Sequence, residues 1–242
     1  MIKKLSNPFV LLYFLILPLI YTTYIIVDFK TNYDSSSIKY SLLMVIIVYV
    51  FIVGLINIIK KKNRLICLLY ILAFILTAIS DYYLLIKDDY SPLSLTTFNL
   101  AHILYAVIIY LSSKLMNKKW LIIGKSLILV IGLIVLIITK EIFNMLICTY
   151  ALNLLNNMID SLILFIKTKE GFALFLLIGF ILFIGCDICV ALSNLDLFLD
   201  ETKSIYDIEL LAECIIWIFY GPSQFFISLS INRGDNNEKE SV

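Results

Sequence analysis

Residues 172–192 read FALFLLIGFILFIGCDICVAL, an apolar run whose one charged residue is Asp187. About 20 apolar residues, each rising ~1.5 Å in a helix, cross the hydrocarbon core of a bilayer. The run therefore reads as a membrane span. Residues 72–86, LAFILTAISDYYLLI, repeat the pattern around Asp81. A charged aspartate at the middle of a membrane helix costs about 3 kcal/mol or more, so both side chains are functional candidates that need partners or a wet cavity.

The composition agrees with that reading along the whole chain. Of 242 residues, 62% are hydrophobic and only 15% charged, and the mean hydropathy is +1.00. Such a chain is too apolar for a soluble globular protein. Membrane-length runs fall at 8–27, 38–59, 65–86, 92–111, 119–138, 142–166, 172–194 and 208–231. The expected fold is all-α, a polytopic bundle of eight transmembrane helices in one domain, residues 1–231. A short polar tail follows, residues 232–242, rich in Asn, Glu and Lys and disordered in character. The first run carries Pro18 and several tyrosines and has no small-residue cleavage site, so it reads as a retained span. Connections are short and leave no room for a soluble domain.

Orientation follows from the lysines and arginines, which concentrate in cytoplasmic loops. One set of loops and ends holds Lys3, Lys4, Lys60, Lys61, Lys62, Arg64, Lys114, Lys118, Lys119, Lys125, Lys167, Lys169, Arg233 and Lys239. The alternate loops hold only Lys30, Lys39, Lys87, Lys140 and Lys203. Both termini are therefore expected to be cytoplasmic, and a bacterial cell membrane is the expected location. The formal net charge of +1, with no basic face, gives no reason to expect nucleic acid as a partner. The five cysteines, Cys67, Cys148, Cys186, Cys189 and Cys214, all fall inside spans and read as small apolar fillers rather than as a disulfide framework.

Polar residues enter some spans far more than others. On this topology Asp81 and Asp187 lie roughly 8 and 11 Å below the outer ends of their helices. His102, the only histidine, falls near mid-membrane with Phe98 and Tyr105 on its helical face. Tyr150, Asn153, Asn157 and Asp160 form one stripe, and Glu213, Trp217, Tyr220 and Gln224 another. Hydrocarbon satisfies neither hydroxyl, amide nor carboxyl, so these stripes are expected to turn inward around one polar cavity. They could equally serve as hydrogen-bonded glue between helices. A carboxyl group in such a cavity is driven toward its neutral form by desolvation, and a second one nearby drives one member of the pair further. An acid and a base at neutral pH would result.

These residues also carry a resemblance. Ser80-Asp81-Tyr82-Tyr83-Leu84, the run Phe98 to Tyr105 around Ala101-His102, Gly185-Cys186-Asp187, and Tyr220 to Gln224 are similar, in order and spacing, to motifs of the YhhN family of eight-span membrane proteins, which includes lysoplasmalogenases. The likeness runs from about residue 38 to 230. Ser80 stands where the family usually has Gly, Cys186 where it has Ser, and Lys39-Tyr40 where it tends to have Lys-Pro. The resemblance implies hydrolysis of the vinyl ether bond of a lysoplasmalogen, a lysophospholipid, to a fatty aldehyde and a glycerophospho head group. It implies Asp81 and Asp187 as the catalytic acid and base. His102, Tyr105, Tyr220 and Gln224 would orient water or the glycerol portion, with the head group near Lys39. No metal and no organic cofactor is implied.

Other functional classes remain open from the residues alone. A metal-dependent intramembrane hydrolase could use His102, the aspartates and the Cys186, Cys189 pair, although catalytic zinc sites usually take three protein ligands rich in histidine. A proton-coupled carrier could relay protons through the buried acids. A noncatalytic scaffold would call for an interaction face that the loops do not offer.

Overall fold

The computed structural model describes residues 13, 17–26, 36–60, 63–87, 91–112, 116–194 and 203–232. All regular structure among them is helical. In chain order the helices are α1 (Leu17–Ile26), α2 (Ser36–Ile59), α3 (Arg64–Asp81), α4 (Pro92–Leu111), α5 (Lys118–Thr139), α6 (Ile142–Thr168), α7 (Gly171–Leu192) and α8 (Lys203–Leu229). Helices α2 to α8 are long and apolar enough to cross a membrane, whereas the described part of α1 is shorter. The remainder of the expected span 8–27 and nearly all of the expected tail lie outside the described residues.

Short connections dictate antiparallel neighbours. Lys140 and Lys169 close the ends of α5 and α6 in the left-handed conformation, with φ of 60° and 54°. Each donates its N–H back to a carbonyl four residues earlier, Lys140 to Leu136 and Lys169 to Phe165. Helices α5 and α6, and α6 and α7, are thereby folded onto each other by two-residue turns.

The packing closes a ring. In order around it stand α2, α3, α4, α6, α7 and α8, with α8 returning to α2. Helix α5 packs on the outside of α6 and barely touches α4. Burial follows the same order: 56% of the α4 span is buried in the protein but only 11% of the α5 span. The exposed Ile, Leu and Val faces of α5 are what a lipid-facing helix presents. Inside the ring lies a core rich in aromatic residues, including Tyr70, Phe74, Tyr105, Phe180 and Phe183.

Two features of α8 shape its path. Pro222 lies inside the helix; it lacks an N–H, so the Ile218 carbonyl loses its helical donor and the helix is weakened between Tyr220 and Gln224. Gly221 beside it lies directly beneath the ring of Tyr21 on α1. The closest approach of α7 to α8 is at Gly179, where a Cβ would stand 3.1 Å from both the Ile227 nitrogen and the Ser223 carbonyl oxygen. Small residues permit such backbone contact between membrane helices. The far end of α8 is stitched to the rest by hydroxyls and an amide: Ser230 pairs with Tyr70 at 2.6 Å, Ser228 with Tyr13 at 2.8 Å, and the Asn232 amide donates to Tyr49 at 2.6 Å.

Because backbone atoms cannot yield at Gly179, Gly179→Ala is expected to destabilise the protein by roughly 1–3 kcal/mol. Gly171→Ala, with nothing within 4 Å of the new methyl, is expected to change little. Unfolding midpoints in detergent check the pair; equal stability of the two variants would contradict the α7–α8 packing.

Candidate active site

Asp81 is the last residue of α3 and is 3% exposed. Immediately after it the chain loosens into a π-helical turn, Tyr82–Ile86, closed by the Lys87 N–H on the Tyr82 carbonyl. Such wide turns interrupt α-helices mostly at functional positions. The start of α4 braces this end, since the Ser80 hydroxyl donates to the Ser94 carbonyl at 2.7 Å. From α8 the Tyr220 hydroxyl stands 2.7 Å from each carboxyl oxygen of Asp81. One phenolic proton thus bridges both oxygens, leaving further lone pairs of the carboxyl for another donor. Tyr40, Tyr105 and Tyr150 also lie within electrostatic range of Asp81.

Asp187 lies about one turn before the end of α7 and is half-buried. Its Oδ1 accepts a hydrogen bond from the Tyr150 hydroxyl of α6 at 3.0 Å. The two carboxyl groups therefore share a design, each held by a tyrosine from a neighbouring helix. They also share surroundings: Tyr150 lies within electrostatic range of both aspartates, and so does Cys186.

Between the two tyrosines runs a continuous path of rings. The Tyr220 ring is 5.4 Å from Phe183, Phe183 is 5.3 Å from His102, and His102 is 5.3 Å from Tyr150. The first and last of these contacts are edge-to-face and the middle one is tilted; aromatic pairs at such separations are favourable beyond simple burial. His102 is completely buried at the centre of this path, with Tyr105 at 6.0 Å. Its Nε2 and both amide atoms of Gln224 are buried with no hydrogen-bond partner. Unsatisfied polar atoms in an apolar interior are expensive, so each of them is a candidate contact for a ligand or water.

Lys39 is buried on α2, with its Nζ 5.5 Å above the Trp217 ring. Trp217 in turn stands edge-on to Tyr220 at 5.4 Å. The lysine thus lies one aromatic ring away from the Asp81 corner. A second polar layer lies beneath the carboxyls: Asn157 reaches His102, Asn153 donates to Asn99 Oδ1 at 3.1 Å, and Lys125 donates to both Asn153 and Asn157.

All the residues expected to form the site, Asp81, Asp187, His102, Tyr105, Tyr220, Gln224 and Lys39, belong to the closed ring of helices. One stripe departs from expectation: Glu213 is exposed. The first half of α8 largely stands clear of its described neighbours, with Tyr206, Ile208, Leu210 and Leu211 also exposed, so among the described residues no helix is there to receive a carboxylate. Lys125 read as a loop charge and is instead an interior donor. Its placement within an otherwise apolar run was the available signal. Asn99, one turn before His102, was likewise visible by spacing alone. Among the described residues, no three His, Cys, Asp or Glu side chains converge closely enough to hold a metal ion.

A family model described as the YhhN family matches residues 35–231. Comparison with curated proteins and with solved structures finds no match to the chain.

The Tyr220–Asp81 bond joins α3 to α8 and is testable as a coupling. In a double-mutant cycle of Tyr220→Phe and Asp81→Leu, an interaction energy of about 0.5–2 kcal/mol is expected in unfolding free energy, the range for hydrogen bonds between membrane helices. Strict additivity would contradict the bond.

Proposed function

The chain belongs to the YhhN family, and from that premise we propose that it is a lysoplasmalogenase-like hydrolase that cleaves the vinyl ether bond of a lysoplasmalogen inside the membrane. The observation that carries the reading is the pair of aspartates, each held by a tyrosine hydroxyl and both within electrostatic range of Tyr150, at the two ends of one buried path of aromatic rings.

The chemistry suits such a pair. A vinyl ether is broken when its double-bonded carbon remote from oxygen takes a proton, which leaves an oxocarbenium ion. Water adds to that ion and gives up a proton, forming a hemiacetal that collapses to aldehyde and alcohol. One carboxyl in the acid form supplies the first proton, and the other as carboxylate steadies the cation and accepts the proton from water. The two carboxyls have then exchanged roles, and the collapse restores them: the second protonates the departing alcohol oxygen while the first takes the hemiacetal hydroxyl proton, so one water is consumed for each bond cleaved. Two carboxyl groups in unlike settings, Asp81 sealed and Asp187 half-buried, support a division into unlike protonation states. These steps require no metal or organic cofactor.

The remaining residues take positioning roles. His102 and Gln224 offer unfilled hydrogen-bonding atoms for water and the glycerol oxygens. The aromatic walls accept the vinyl segment and the start of the chain, and the Tyr220 and Tyr150 hydroxyls fix the carboxyl planes. Lys39, one ring removed, is placed to meet the phosphate of the head group.

Purified protein supplied with a lysoplasmalogen is expected to release fatty aldehyde, and to leave the saturated alkyl-ether analogue intact because it has no double bond to protonate. Asp81→Asn and Asp187→Asn are each expected to lower kcat by about 10²–10⁴. No aldehyde from the wild-type chain, or full activity in either variant, would refute the assignment.

A further inference from the structure

Lys125 belongs to α5, the most lipid-exposed of the long helices. A lysine there would ordinarily extend its ammonium toward the membrane surface. Here it turns inward: Nζ donates to Asn153 Oδ1 at 2.9 Å and to Asn157 Oδ1 at 3.3 Å. Asp160, the acidic side chain whose field reaches this ammonium, is itself bonded by the Asn156 amide at 2.5 Å.

The consequence propagates by the rules of donor and acceptor. An ammonium group only donates, so both asparagines present their oxygens to α5 and their NH₂ groups to the interior. The Asn153 NH₂ then meets Asn99 Oδ1. The Asn157 NH₂ stands 2.8 Å from the backbone carbonyl oxygen of His102 and 3.3 Å from its Nδ1. A carbonyl only accepts, so this second contact favours the same end of the amide, and the lysine completes the restraint. With one hydrogen on the carbonyl, the other is directed at Nδ1, which must accept it. An accepting Nδ1 carries no proton, so the ring is neutral and its single proton is on Nε2. Nε2 is the ring atom left buried without a partner, on a side chain wedged between Tyr150 and Phe183 at 5.3 Å each.

We infer that Lys125 and Asn157 are positioning residues that lock His102 in its Nε2–H form, so that it presents one buried, unpartnered hydrogen-bond donor for a neutral oxygen acceptor. That this acceptor is an ether or hydroxyl oxygen of the glycerol portion rests on the proposed hydrolase reading; the locked tautomer does not.

The chain has one histidine, so protein labelled with ¹⁵N only at histidine and purified through a histidine-free tag gives ring resonances from His102 alone. In the wild-type chain, in bilayers and without substrate, Nε2 is expected in the protonated range and Nδ1 in the bare range. A protonated Nδ1 overturns the inference. Asn157→Asp, which replaces the donor by an acceptor, is expected to move the proton to Nδ1. Lys125→Met, which frees the amide to turn, is expected to populate both tautomers. An unchanged spectrum in Asn157→Asp overturns the role of Asn157, and one in Lys125→Met overturns that of Lys125. Should either variant not fold, the wild-type spectrum alone still decides the tautomer. If the tautomer is as stated but no aldehyde is formed from a lysoplasmalogen, the hydrolase reading fails and the brace stands.

Discussion

Within a hydrocarbon slab a polar group has no water to turn to, and this one constraint organises the bundle. Helical backbones satisfy themselves, so what remains is a small set of side-chain donors and acceptors that must find each other across helices. They pair around the ring: Tyr220 with Asp81 joins α8 to α3, Tyr150 with Asp187 joins α6 to α7, and Asn157 with His102 joins α6 to α4. Tyr49 with Asn232 joins α2 to the end of α8. Hydrophobic packing alone would leave the register of such apolar helices weakly defined, since lipid chains are as apolar as leucine. The polar pairs set it.

The same pairs divide the interior into two layers with different chemistry. The upper layer holds the carboxyl groups and tyrosine hydroxyls, which can exchange protons. The lower layer holds asparagine amides ordered by one ammonium, which cannot exchange protons with the carboxyls but fix direction. His102 stands where they meet, with the Asn157 amide on one ring nitrogen and no partner on the other. Under the proposed reaction this division is useful: proton transfer is confined to the two acids, and the lower layer supplies a donor of fixed orientation. Preorganised donors of that kind do not have to reorient as charge develops.

Much of this was legible in the sequence because composition and period report on a helix's own faces. The expected span 92–111 coincides with α4, and 142–166 nearly with α6. That Asp81 and Asp187 sit within long apolar helices followed from their charge in apolar runs, and the burial of Asn153 and Asn157 from the spacing of the stripe Tyr150, Asn153, Asn157 and Asp160, of which Asp160 stays partly exposed. What could not be read was which stripes meet. Asp81 and Tyr220 are separated by 139 positions, and no local pattern links them. Lys125 was half legible for a related reason: its place just inside the helix shows in the sequence, but only two asparagine oxygens on a neighbouring helix turn it inward. Glu213 failed in the opposite sense, because a stripe is buried only where another helix arrives to cover it.

The account depends on the two acids facing one shared site, and proximity in the membrane tests that most directly. In a variant lacking the native cysteines, Asp81→Cys combined with Asp187→Cys is predicted to be joined within one chain by a short bifunctional thiol reagent, and to a much smaller extent when Asp187→Cys is replaced by Ile181→Cys on the exposed face of the same helix. Equal cross-linking in the two pairs, or none between positions 81 and 187, would contradict a shared site.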